Sequence, residues 1–350
     1  MDPLVWIPVM VVGFATALGM TPLSRAIAMR LGVVDKPNQR KIHTDHKPLM
    51  GGLAIVAGFT VAVLLFVVPH YLTKLSALLL GVALLAIVGL IDDRYELGIR
   101  AKIVAQTIAA LILIAAGIQI QLFDTPWLDI PLTLLWVVAL SNAVNFLDNM
   151  DGLSAGLSAI AGLWFTWLAY SEGVPLVSAL AAAVAGSAIG FLIYNFNPAS
   201  TFMGDMGALV LGFLLAALGI ELRFGAQPLN VTWMVPILVL ALPIFDICLV
   251  VFTRISEGRS PGQAGKDHTS HRLLALGLSQ RGAIAVLYSA CIVFGGLGVL
   301  VSREAPERAL VIGAASLALL GGLFAAMMLI RRRYQVIPPR TPVPTTGSNG

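Results

Sequence analysis

Six aspartates stand beside the ends of long apolar runs: Asp92, Asp93, Asp148, Asp151, Asp205 and Asp267. A carboxylate next to hydrocarbon is costly unless it lines a wet cavity. Set among Lys and Arg, such groups suit the handling of anionic substrates and of a hard divalent cation. Asp92 and Asp93 are adjacent at the end of one run. Neighbouring positions of a helix point to different sides, so one carboxylate can face a metal or substrate while the other faces a second substrate. A solvated helix end is the plainer reading of that pair.

Asn142, Asn145, Asp148 and Asp151 recur at every third position, a slowly drifting stripe along one helical face. Their donors and acceptors match a ribose, a uracil edge or a sugar amide; hydrogen bonding between helices would use them equally well. Asp205 opens another run between Gly204 and Gly207. There it can hold Mg²⁺, which takes one or two protein oxygens and completes its shell with water and phosphate. It can also cap a helix, and the two roles are compatible.

Cations gather in two segments. Arg254, Arg259, Lys266 and Arg272 share a turn-rich stretch with His268 and His271, and such side chains neutralise phosphates. Zinc binding by the two histidines has neither a cysteine nor a supporting spacing behind it. Lys36, Arg40, Lys41 and His43 form a second basic segment, which either meets an anion or holds the topology.

The elements that must position these groups are apolar. The 350 residues are 58% hydrophobic and 11% charged, against about 25% charged in soluble domains, so lipid is the expected solvent. Runs of spanning length cover about 4–24, 51–69, 75–91, 103–122, 131–147, 154–171, 176–194, 206–222, 231–252, 282–301 and 308–330. The expected fold is therefore all-α and polytopic, with about eleven transmembrane helices. Residues 1–337 form one transmembrane catalytic domain, and 338–350, rich in Pro, Thr, Gly and Ser, form a disordered tail. With alternate loops assigned to one side, 18 of the 22 Lys and Arg fall together. The positive-inside rule then puts that side, with all six aspartates, in the cytoplasm and the N-terminus outside. The first run lacks a basic flank and a small-residue cleavage site, so it is expected to be retained. Cys248 and Cys291 lie in apolar runs as packing residues.

Taken in order, these segments resemble the polyprenyl-phosphate N-acetylhexosamine-1-phosphate transferase family. The resemblance runs from Val34 to about Gln280. It rests on Asp35, Lys36 and Pro37 with Arg40 to His43, then Gly51 and Gly52, and Asp92 and Asp93 with Lys102. Asn145, Asp148, Asp151 and Gly152 follow, then Asn195 and Pro198, Gly204 and Asp205, and the histidine loop. It implies a Mg²⁺ enzyme, with Mn²⁺ as a substitute, that moves a sugar-1-phosphate from a UDP-N-acetylhexosamine to undecaprenyl phosphate at the inner membrane and releases UMP.

In the roles the resemblance implies, Asp205 is the metal ligand with Asn195 assisting, and Asp92 and Asp93 are the catalytic pair. Asn145, Asp148 and Asp151 form the nucleotide-sugar pocket. Lys41, Lys102, Arg259, His268, His271 and Arg272 contact diphosphate and sugar. Membrane lipid and a second copy of the chain are further expected partners; nucleic acid is not. Ser270 stands where the family carries a central histidine, so Ser270→Ala is expected to be mild and Ser270→His tolerated. Leu49 departs from the basic residue common in the hexosamine branch, which keeps the phospho-N-acetylmuramoyl-pentapeptide transferases as the alternative. A transporter or flippase would place its ionisable groups at mid-membrane and show an inverted repeat; among the aspartates only Asp246 lies inside a run.

Overall fold

The computed structural model describes residues 3–35, 47–66, 71–224, 228–263 and 265–334. The chain opens with α1 (Trp6–Leu31), followed by a two-stranded antiparallel ribbon of β1 (Val34–Asp35) and β2 (Lys47–Pro48). Then come α2 (Gly51–Leu65), α3 (Leu72–Tyr95), α4 (Ile99–Ala115), α5 (Pro126–Leu147), α6 (Leu153–Ser171), α7 (Pro175–Asn195) and α8 (Gly204–Glu221). The last third holds α9 (Leu229–Thr232), α10 (Met234–Val239), α11 (Ala241–Ser256), α12 (Thr269–Ala275), α13 (Gln280–Arg303) and α14 (Pro306–Tyr334).

Each apolar run returns as a helix, with differences that follow from its residues. Among the described residues, eight helices are long and apolar enough to cross a membrane, or nine if a bent pair counts as one span. α2 is a shorter apolar helix of 15 residues. α4 has 17 residues, and its first turn carries Arg100 and Lys102. The run at 231–252 is broken at Leu240, where the segments before and after meet at 76°. Pro236 and Pro243 flank that break, and each lacks the N–H that would continue the ladder. A multi-pass, nearly all-helical membrane architecture stands. Lys41 and the tail after residue 337 lie outside the described residues.

Why α7 and α8 sit at the centre is legible in their side chains. α7 is mostly Ala, Gly, Ser and Val, small residues that let helix backbones approach closely in lipid. Five-sixths of each central window is buried, whereas only about a tenth of the α14 window is. α8 is gripped at its first turn. A Cβ on Gly52 of α2 would meet Gly207 N at 2.2 Å, and one on Gly89 of α3 would meet Met206 Cα at 2.4 Å. Side chains at either position would push α2 or α3 off the start of α8, where Asp205 sits.

Candidate active site

The ends of α3, α5 and α7, the starts of α4, α6 and α8, and α12 gather at one end of the bundle. Lys102, one turn into α4, reaches both acidic neighbours there. Its Nζ donates to Asp92 Oδ2 at 3.0 Å and to Asp205 Oδ2 at 2.8 Å. The Asn145 amide is a further hydrogen-bonding neighbour of Asp205.

Asp93 does something different from its neighbour. Its Oδ1 accepts from the Asp205 amide at 2.7 Å and its Oδ2 from the Met206 amide at 3.3 Å. These are amides that an α-helix leaves without internal partners, so Asp93 caps α8 from the end of α3. Of the two residues expected to be catalytic, Asp92 faces the cluster and Asp93 positions Asp205.

Asp148, just beyond α5, accepts from the Gly204 amide. Burial and the nearby charges of Asp205 and Asp151 push its carboxyl up to about 7. Asp151 ties down the loop between α7 and α8: its Oδ2 accepts from Ala199 N at 3.0 Å and Asn197 Nδ2 at 3.2 Å. Asn195, expected to assist a metal, has both side-chain polar atoms engaged by loop backbone. Its Oδ1 accepts from Gly152 N and its Nδ2 donates to Thr201 O, each at 3.0 Å. Its side chain knits two loops beneath the site. Asn142, which shares the stripe with Asn145, donates to Gln106 Oε1 at 2.6 Å and joins α5 to α4.

The donor chemistry of this end fits a Mg²⁺ ion. Asp92 Oδ1 is buried without a hydrogen-bond partner, and the surrounding groups are hard oxygens held near one another. No three His, Cys, Asp or Glu side chains converge on one point among the described residues. A cation here would take one or two carboxylates and fill its shell from phosphate and water, as Mg²⁺ does.

The histidine loop departs from several expectations. Arg272 is fully buried and donates to Asp267 O, Met327 O and Thr253 Oγ1 at 3.0, 2.6 and 2.7 Å. Arg259 pairs with Glu257 and Asp267 at 2.7 and 2.8 Å. Arg254 and Arg331 meet the same Asp267 at 3.0 and 2.7 Å. Although burial works the other way, Arg259 and Arg254 hold the Asp267 carboxyl well below the usual range. Arg259 and Arg272 therefore brace the loop against α11 and α14 instead of pointing a free guanidinium at a substrate. Ser270 is buried and donates to Asn149 Oδ1 at 2.6 Å. An imidazole would overfill that position, so tolerance of Ser270→His is no longer expected.

The two histidines sit side by side at the start of α12. His268 lies edge-on to Phe146, next to Asn145, with ring centroids 6.1 Å apart, and His271 is 6.0 Å further on. Burial, with His268 and Lys266 nearby, pushes the His271 imidazole down from 6.5 to about 4. Between those values the unfolded chain binds a proton that the folded chain does not, so stability should fall as pH drops from about 6.5 towards 4. His271→Gln should flatten that part of the curve of Tm against pH. An unchanged slope would show that the ring is not held neutral.

Sequence reasoning passed over Asp246 and Arg331. Asp246 did carry a signal, as the one aspartate inside an apolar run. Arg331 is the first of three consecutive arginines near the end of α14, and nothing in its neighbours sets it apart.

Comparison with known proteins shows the family of the chain. The profile of Glycosyl transferase family 4 matches residues 75–223, the stretch that carries the carboxylates, Lys102 and Asn145. A probable undecaprenyl-phosphate N-acetylglucosaminyl 1-phosphate transferase of Bacillus subtilis is 36% identical over 293 residues, 81% of each chain. The decaprenyl-phosphate N-acetylglucosaminephosphotransferase of Mycobacterium tuberculosis is 32% identical over 349 residues, 88% of this chain and 85% of its own. An undecaprenyl-phosphate alpha-N-acetylglucosaminyl 1-phosphate transferase of Yersinia pestis is 27% identical, with 83% and 82% covered. With its carboxylates and lysine inside the matched stretch, the chain is a membrane enzyme of glycosyl transferase family 4, a polyprenyl-phosphate N-acetylhexosamine-1-phosphate transferase.

Proposed function

We propose that the protein transfers N-acetylglucosamine-1-phosphate from UDP-N-acetylglucosamine to undecaprenyl phosphate, with release of UMP, as the first membrane step of a cell-envelope polymer. The observation that carries this reading is the Asp92–Lys102–Asp205 arrangement at one end of an apolar bundle, with Asn145 beside Asp205. The proposed topology has eleven crossings of the inner membrane, the N-terminus outside and the carboxylate end in the cytoplasm; the one-sided distribution of Lys and Arg supports it.

An oxygen of the lipid phosphate attacks the β-phosphorus of the donor. The bond from that phosphorus to the bridging oxygen breaks, and the oxygen leaves with UMP. The attacking phosphate is already anionic at pH 7, so a strong protein base is not required and direct in-line displacement suffices. The larger barrier is the approach of two anions. Lys102 lowers it as a fixed cation, and His268 and His271 line the approach from α12. Asp205 and Asp92 would hold Mg²⁺, whose chemistry is to neutralise charge on the diphosphate. Asn145, Asp148 and Asp151 border the space for the nucleotide sugar, and Asp93 and Asn195 keep the start of α8 and the neighbouring loops in place. Whether two copies associate in the membrane is a separate proposal, tested by cross-linking.

The test is incubation of purified protein with undecaprenyl phosphate, Mg²⁺ and a panel of UDP-sugars. UMP and a lipid-linked diphosphosugar should form from UDP-N-acetylglucosamine, and added UMP should drive the reaction backwards, since one phosphoanhydride replaces another. Release of UDP would sink the phosphotransferase reading. Activity only with the UDP-linked muramoyl pentapeptide would move the protein to the other branch.

A further inference from the structure

Asp246 is 1% exposed, inside a bundle where an ionised carboxylate is expensive. It lies in α11, one turn past the break at Leu240. Both its oxygens are engaged by the start of α12. Oδ2 is 2.8 Å from His268 Nδ1, and Oδ1 accepts from the Thr269 amide at 2.7 Å. An ionised carboxylate only accepts, and with Asp246 in that form the His268 nitrogen facing it is the donor. That leaves Nε2 as the ring atom available to a ligand. The ring's other neighbours are Phe146, beside Asn145, and His271.

We propose that Asp246 is a positioning residue: it fixes the orientation and protonation pattern of His268 so that Nε2 is presented to the donor diphosphate. The inference rests on the transfer reaction proposed above. A carboxylate behind an imidazole holds the ring in one orientation and blocks the tautomer that would turn a bare Nδ1 towards the carboxylate. Asp246 thereby acts at a site that it does not itself line. Its second contact, with the Thr269 amide, aligns the first turn of α12 on the same axis.

Two measurements test this. The first is a cycle of Asp246→Asn, His268→Ala and the double variant, assayed with UDP-N-acetylglucosamine and undecaprenyl phosphate, with Tm recorded for each. Each single variant should lose roughly ten- to a hundredfold in kcat/KM, mainly in kcat, as for one charge-assisted hydrogen bond. The double variant should be no worse than His268→Ala alone, and Asp246→Glu should recover part of the loss. Losses that multiply in the double variant, or Asp246→Asn at wild-type activity beside an impaired His268→Ala, would overturn the proposal. The second measurement needs neither a folded Asp246 variant nor turnover. In the ¹⁵N-histidine spectrum of the full-length protein, the signals lost in His268→Ala should show a protonated Nδ1; a bare Nδ1 would refute the dyad. Failure of the transfer reaction itself appears separately, as a wild-type protein inactive with every UDP-sugar.

Discussion

Asp205→Asn should lower turnover at saturating substrates by roughly a hundred- to a thousandfold, the scale seen when a preorganised electrostatic contact is removed from an active site. The substitution keeps the size of the side chain and changes its charge. The cap on α8 survives, because it is made by Asp93 through the amides of Asp205 and Met206. Loss of a negative charge near a helix N-terminus costs about 0.3–1 kcal/mol, and relief of repulsion with Asp148 and Asp92 offsets part of that. Lys102 also loses one of its two carboxylate partners but keeps Asp92, so Tm should fall while α8 stays capped and activity collapses. Activity should also need more Mg²⁺ for its half-maximum. A variant with near-normal turnover at low Mg²⁺ would make Asp205 a structural residue only.

Lys102→Met is the second large effect, with kcat/KM expected to fall roughly a hundredfold or more. One ammonium group holds Asp92 and Asp205 together, and removing a preorganised electrostatic contact from a site where charge develops costs about a hundred- to a thousandfold in turnover. Methionine keeps the length and apolar stem of lysine without its charge. Lys102→Arg should recover little, since a planar guanidinium does not reproduce a compact ammonium between two carboxylates. The Mg²⁺ titration separates the two roles open to this lysine. If it acts on the substrate phosphates, the loss persists at every Mg²⁺ concentration. If it only stands in for the metal, Lys102→Met should saturate at lower Mg²⁺ and keep its turnover.

These predictions concern residues that the sequence singled out, but the division of labour among them came from tertiary contacts. Apolar length and the one-sided placement of Lys and Arg were enough to read an all-helical membrane enzyme, because burial in lipid leaves few ways to pair the backbone. The adjacency of Asp92 and Asp93 already required them to face apart. That Asp93 caps α8 while Asp92 joins Lys102 depends on where α3 and α8 cross, which in turn depends on Gly89 and Gly52.

Charged and amide groups far apart in sequence carried the rest. Nothing near Arg272 announces that it is fully buried with partners at Thr253 and Met327, nor near Asn195 that its amide bridges Gly152 and Thr201. Local spacing told which side chains share a helical face, and residue type told which could hold a phosphate or a cation. Which donor meets which acceptor was decided by helix packing. A buried hydrogen bond is satisfied by whatever the fold brings within about 3 Å, and a pair such as Asp246 and His268 has no periodicity to give it away.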